Sequence, residues 1–136
     1  MRAAYIERPG PAADIRFGDL PAPHPGPTDV LVDVIATTVN PVDTFVRSGA
    51  YRTPLPLPLV VGRDLVGRVA EVGPGAAGFH AGDLVWCNSL GYDGRQGSAA
   101  EQAVVPVVPL PLSAVADAHR MLEEGELRGR RVVIHP

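Results

Sequence analysis

Three short segments of this chain carry residues whose types and spacing could do chemistry. The first is Asn40-Pro41-Val42-Asp43, an amide and an acid three positions apart. A carboxamide has an acceptor oxygen and two N–H donors, so it can cap a helix through the oxygen and still donate to a carbonyl. The second is Gly62-Arg63-Asp64, a permanent cation beside an acid. Arg63 could pair with Asp64 or Asp43, or face a substrate oxygen. The third is Gly73-Pro74-Gly75-Ala76-Ala77-Gly78, a literal match to the dinucleotide fingerprint, with Asp93 at the expected distance downstream. That fingerprint needs a helix after the glycines, so that amides and dipole meet a pyrophosphate. Here Phe79-His80-Ala81-Gly82-Asp83-Leu84-Val85 leads into strand-like sequence, and a proline sits inside the loop. A turn is expected, and no cofactor-binding residue is assigned.

Other chemistry is excluded by composition. All twelve basic residues counted as Lys or Arg are Arg, which removes Schiff-base and P-loop lysine mechanisms. The single cysteine, Cys87, lies on an apolar run, where burial without reactivity is expected, and it cannot build a multi-cysteine zinc site. His24, His80, His119 and His135 are far apart, lack ligand spacing and read as surface residues. A formal charge of −3 gives no footprint for nucleic acid. No apolar run approaches membrane-spanning length, and Met1-Arg2-Ala3-Ala4-Tyr5-Ile6-Glu7 is too quickly charged for a signal peptide. A cytoplasmic chain is expected.

The elements that must position these residues are mostly strands. Fifteen Gly and fifteen Pro argue for many turns. β-rich runs predict strands over residues 1–7, 15–20, 30–38, 65–72, 84–87 and 98–105, the last closed by Pro106, with a short extended piece over 107–111. Residues 21–27 and 51–58 are proline-broken loops. Asn40 as N-cap, Pro41 in the first turn, Asp43 at the positive end and Gly49 as stop predict a short helix. A second helix is expected from Ser113 as cap to about Glu124, with Val115, Ala118 and Leu122 on one face and Gly125 as its stop. Residues 131–135 predict a last strand returning to the sheet. Residues 91–97, with Tyr92, Asp93 and Arg95, read as a flexible loop that could flank a cleft. The class is mainly β with two short helices, in a small, partly open barrel.

Val39-Asn40-Pro41-Val42-Asp43, Val60-Val61-Gly62-Arg63-Asp64-Leu65-Val66-Gly67, Gly73-Pro74-Gly75 and Phe79-His80-Ala81-Gly82-Asp83-Leu84-Val85, in this order and spacing, resemble the medium-chain alcohol dehydrogenase and quinone oxidoreductase superfamily. The resemblance implies a GroES-like catalytic barrel. Zinc-dependent members carry Gly-His-Glu where this chain has Gly62-Arg63-Asp64, and cysteine where it has Asn40. A guanidinium carries no free lone pair, so the resemblance narrows to the zinc-free, quinone-reductase-like branch and no metal is expected. It further implies NADPH as the full-length cofactor and a quinone or enone as substrate. Asn40 would line the nicotinamide and quinone cleft, with Asp43, Tyr51 and Arg63 as further candidates. Phe45 stands where several members have tyrosine, so a hydroxyl there is lost.

The family's nucleotide-binding domain is missing between about residues 105 and 112. Val105-Pro106-Val107-Val108-Pro109-Leu110-Pro111 runs straight from one flank of that domain to the other. Residues 1–111 then form the barrel, and 112–136 resemble the family's returning helix and strand. A deletion is the simplest account. Such a chain is expected to bind NADPH weakly or not at all and to be inactive alone, because hydride transfer needs a cofactor held beside the substrate. The alternative is a non-enzymatic barrel module that binds a protein partner through the surface the missing domain would cover.

Overall fold

β-branched runs bounded by glycine and proline become strands in this chain. A computed structural model describes residues 1–127 and 131–135. In chain order its elements are β1 (Arg2–Ile6), β2 (Arg16–Asp19), β3 (Asp29–Thr37), α1 (Pro41–Ser48), β4 (Leu59–Val60), β5 (Leu65–Val72), β6 (Leu84–Cys87), β7 (Gln102–Pro111), α2 (Val115–Glu123) and β8 (Arg131–His135). They form a five-stranded sheet in the order β6-β5-β3-β7-β8 and a three-stranded sheet in the order β2-β1-β4. β4, a two-residue strand at the end of the proline-broken loop, was not expected.

β5 shows why the sheet has an inside. Leu65, Gly67 and Val69 are buried while Val66, Arg68 and Ala70 are exposed, the period-two pattern of a sheet with one wet face. A side chain at Gly67 would run into the Asp33 carbonyl and Val32 of β3, so glycine lets these strands approach. Register shifts within β3, between Leu31 and Val32 and between Val34 and Ala36, bend the strand and curl the sheet into a half-barrel. Val30, Val32, Leu65, Val69, Val105 and Val107 fill its concave side. A second cluster of Ile6, Val46 and Leu59 joins α1 to the three-stranded sheet.

β7 runs unbroken through Pro106, Pro109 and Pro111, where the sequence suggested a break at Pro106. Its first half pairs antiparallel with β3 and its second half parallel with β8. Val107 donates its N–H to the Thr28 carbonyl at 3.1 Å, on the β3 side. By alternation, positions 109 and 111 face that same side, beyond where β3 begins at Asp29. Proline there removes donors that would have no strand partner.

After β7 the chain makes a 3-10 turn, Leu112–Ala114, before α2 starts. Ser113 therefore lies inside that turn. Ala114 occupies the N-cap of α2 without a side-chain cap bond, a correction to the expected serine cap. Gly125 ends the helix as expected, at φ 71°. The face that carries Val115, Ala118 and Leu122 is open, with Val115 and Leu122 exposed. β8 returns to the sheet as expected, pairing from Val107↔Arg131 to Pro111↔His135.

Candidate functional site

β3 ends at Thr37, and the next residues turn directly into α1. Asn40 sits at the N-cap, in extended conformation with φ −107°, and its backbone N–H donates to Asp43 Oδ2 at 2.6 Å. Pro41 fills the first turn, where its missing N–H leaves no gap in the ladder. Gly49 closes the helix in the left-handed region at φ 83°. Val46 buries against Ile6 and Leu59, and the Arg47 guanidinium donates to the Gly10 carbonyl. The start of α1 is thus held from both ends.

The Asn40 side chain turns toward the second segment. Its Nδ2 donates to Asp64 Oδ2 at 2.8 Å and to Thr38 Oγ1 at 3.2 Å, and Thr38 Oγ1 donates to Asp64 Oδ2 at 3.2 Å. Both amide hydrogens therefore have partners inside the chain. The Asp64 backbone carbonyl accepts from Thr37 Oγ1 at 2.7 Å, and that hydroxyl lies 2.8 Å from the buried Ser98 Oγ. Gly62 passes over Ser98 at φ 95°, where an added Cβ would sit 2.8 Å from the serine oxygen. Sequence reasoning missed the Thr37-Thr38 pair and Ser98. A run of two threonines at the end of a strand is the one signal that could have marked them.

Asp43, half-buried, has its pKa raised above the usual carboxylate value. Burial is the main cause and the charge on Asp64 adds to it, against the Asn40 N–H and the Arg63 charge, which favour the ionised form. Arg63 itself pairs with neither acid among the described residues. Its guanidinium lies over the Tyr92 ring at 4.2 Å, and Arg95 lies over the same ring at 4.5 Å. Cation–π contact holds the charge without neutralising it. The expected loop at 91–97 is where that ring comes from, and it is tied down rather than free. Gln96 accepts from Val60 N–H at 2.7 Å and donates to the Pro56 and Pro58 carbonyls, each at 2.9 Å. Asp93 N–H donates to Thr53 Oγ1 at 2.8 Å.

The structure therefore gathers Asn40, Asp43 and Arg63, together with Asp64, Thr38 and Tyr92. Tyr51 stands apart, exposed, its backbone N–H donating to the Phe45 carbonyl at 3.0 Å. Phe45 is exposed as well. His24, His80 and His119 are exposed, while the His135 side chain lies outside the described residues. Cys87 is buried. A groove of about 390 Å³ lined by Thr37, Thr38, Asp64, Val66 and Trp86 adjoins the cluster. A smaller one of about 190 Å³ runs along Val39, Asp43, Thr44, Arg47 and Gly62.

Among the described residues, these two segments offer neither a zinc ligand set nor a free pyrophosphate cradle. Asn40 and Arg63 offer a carboxamide nitrogen already donating and a protonated guanidinium, so a tetrahedral zinc has no ligand set here. Gly73 N–H donates to the Asp29 carbonyl at 2.8 Å, Gly75 N–H to Pro27 at 2.7 Å and Ala76 N–H to Gly73 at 3.0 Å. These amides are satisfied within a turn between β5 and β6, and no helix follows them. β7, α2 and β8 do form a strand-helix-strand connection, but its first turn, Pro111-Leu112-Ser113-Ala114, contains no glycine to admit a phosphate.

Residues 26–112 match the alcohol dehydrogenase GroES-like domain family. The chain belongs to that family. Quinone oxidoreductase of Rattus norvegicus is 38% identical over 112 residues, covering 82% of this chain and 34% of the relative. A solved mycobacterial quinone oxidoreductase is 34% identical, with a TM-score of 0.69 over 78% of this chain and 31% of that one, and a mycobacterial protein complexed with NADPH is 37% identical, with a TM-score of 0.67 over 78% of this chain and 30% of that one. An alcohol dehydrogenase superfamily protein of Novosphingobium aromaticivorans is 27% identical with a TM-score of 0.66, covering 98% of this chain and 52% of that one. This GroES-like domain spans about a third of the length of the curated relatives it matches. No described helix is long and apolar enough to cross a membrane.

Proposed function

We propose that this domain is the catalytic barrel of a zinc-free, NADPH-dependent oxidoreductase of the quinone-reductase type, and that the chain alone is inactive. The observation that carries the reading is the Asn40 carboxamide fixed against Asp64 and Thr38 at the start of α1, in a chain 38% identical to a quinone oxidoreductase. With both amide hydrogens engaged, Asn40 acts by fixing the Asp64 and Thr38 side chains that line the adjoining groove, and so shapes where a quinone or enone acceptor can sit. The acceptor oxygen gains negative charge when the conjugated system is reduced. Arg63, held on Tyr92 and in no salt bridge among the described residues, supplies a positive charge for it. Asp43 keeps Asn40 in place by accepting from its backbone N–H.

We further propose that residues 1–111 are the barrel, that 112–136 are its returning helix and strand, and that a nucleotide-binding domain belongs between about 105 and 112. The match over 98% of this chain but 52% of the Novosphingobium protein supports that arrangement. Calorimetric titration of the chain with NADPH is expected to show no binding below the millimolar range. A micromolar dissociation constant, abolished by Gly75→Leu, would overturn the assignment of residues 73–78 as a plain turn. A hybrid with a family nucleotide domain placed between Val105 and Leu112 is expected to reduce quinones. Asn40→Ala in that hybrid is expected to lose on the order of 100-fold in kcat/KM, as removal of a positioning hydrogen-bonding group does. Full activity in that variant would leave Asn40 as a helix cap only.

A further inference from the structure

Pro54, Pro56 and Pro58 leave every second residue of one stretch without a backbone N–H. That stretch cannot satisfy its own carbonyls, and the loop at 91–97 supplies the donors. Gly94 N–H donates to the Pro54 carbonyl at 2.9 Å, and Gln96 Nε2 donates to the Pro56 and Pro58 carbonyls at 2.9 Å each. Gln96 Oε1 accepts from Val60 N–H at 2.7 Å. These partners fix which way the carboxamide points, because carbonyls only accept and a backbone N–H only donates. One side chain thus spends its oxygen and both amide hydrogens on tying the proline stretch and β4 to a single loop.

What the tie holds is the Tyr92 ring. Tyr92 packs with Leu55 against Ile6, Val46 and Leu59, and it carries both Arg63 and Arg95. Burial of that kind has no direction, so hydrogen bonds must set where the ring stands. Leu90 N–H donates to the Arg63 carbonyl at 3.0 Å and fixes where the loop begins; Gln96, whose own carbonyl accepts from Gly91 N–H at 3.0 Å, fixes where it ends. The two guanidiniums depend on the loop differently. Arg95 belongs to it, and its Nε donates to the Tyr92 carbonyl at 3.2 Å, so it travels with the ring. Arg63 reaches the ring from the segment before β5. We propose that Gln96 is a positioning residue, which registers the loop at 91–97 on the proline stretch and thereby sets where the Arg63 charge stands. Its importance for catalysis rests on the role given to Arg63 above, whereas the placement of Arg63 does not.

Gln96→Glu tests this with almost no change in shape. The oxygen facing Val60 N–H stays, while the nitrogen that served Pro56 and Pro58 becomes a carboxylate oxygen set against two carbonyls. NMR of the guanidinium Nε–H groups reads the result, because an aromatic ring displaces the resonances of groups stacked on its face. Both Arg63 and Arg95 are expected to be displaced in the unaltered chain, and Tyr92→Leu should abolish both displacements. Gln96→Glu should abolish that of Arg63 and keep that of Arg95. Gln96→Met, which removes the bonds without adding charge, should do the same. Arg63 keeping its displacement in the Gln96 variants would overturn the proposal, since the ring would then be placed without Gln96. Loss of both displacements in a chain that still unfolds cooperatively would overturn it too, since Arg95 should travel with the ring. Should Gln96→Glu not fold, Gln96→Met decides by itself, because Gln96 is exposed and the change leaves the core untouched. A nucleotide-domain hybrid that is inactive toward quinones while Arg63 stays on Tyr92 would count against the reductase reading alone.

Discussion

α1 and α2 are nearly the same length and are held in opposite ways. α1 carries its own boundaries, with Asn40 at the N-cap, Pro41 in the first turn, Asp43 reaching back to the cap and Gly49 left-handed at the end. It also buries Val46, so its local signals and its tertiary contacts agree. α2 has no side-chain cap and no buried residue, and its stretch of chain exists to carry β7 across to β8. Its place comes from the parallel pairing of the strands at either end. A helix that must hold a hydrogen-bonded cluster to within tenths of an ångström is specified by its own residues. A helix that only connects is specified by what it joins.

The sharpest way to break that comparison is to remove what α2 serves. Deleting residues after Pro111 takes away β8, which pairs with the second half of β7, together with buried Leu127. A loss of roughly 3 kcal/mol is expected, about 10 °C in melting temperature for a domain of this size. An unchanged thermal transition would mean that α2 and β8 are appended to the barrel and not part of it. Single substitutions then separate the helices. Val46→Ala is expected to cost about 2 kcal/mol by denaturant unfolding, through lost burial and a cavity beside Ile6 and Leu59. Leu122→Ala should change stability by less than about 0.5 kcal/mol, because Leu122 is 63% exposed. Equal costs would show that α2 packs more closely than its exposure indicates.

The same contrast explains which parts of the molecule were legible in the sequence. β5 and β6 lie where the β-rich runs placed them, because alternation and glycine turns are local signals, and α1 could be read from its caps for the same reason. β7 could not be read as one strand. Three prolines argue against a strand unless both neighbours and their ends are known, and β8 is far away in sequence. Ser113 looked like a cap, yet the turn from β7 adds one 3-10 step and moves the helix start past it. At the site, Asn40, Asp43 and Arg63 were visible as residue types. What holds them was not: the Asp64 carboxylate and the Thr38 hydroxyl bind Asn40, the Tyr92 ring holds Arg63, and Thr37, backed by Ser98, holds the Asp64 backbone, so the partners come from four separate segments. Tyr51 was singled out by its sequence position after α1, and the fold leaves it outside the cluster.

The smallest expected effect tests how closely the start of α1 is coupled to its surroundings. Asp43 has an ordinary pKa of 3.8 and is raised in the folded chain, first by burial and then by the charge on Asp64. A carboxyl whose folded pKa lies above its unfolded value binds its proton more tightly when folded. Its contribution to stability is therefore complete below about pH 3.8 and is lost as pH rises through the raised folded value. Asp43→Asn keeps an acceptor for the Asn40 N–H and cannot ionise. Across that acid window the unaltered chain should lose stability relative to Asp43→Asn, measured by denaturant unfolding at each pH, and the difference should level off above it. The neighbours then assign the cause. Asp64→Asn removes the charge that opposes ionisation and should move the Asp43 carboxyl resonance to titrate at lower pH. Arg63→Met removes the charge that favours it and should move the titration higher. Indifference to both changes would mean that burial alone sets Asp43, and that the cluster at the start of α1 is held by hydrogen bonds without electrostatic coupling between its acids and Arg63.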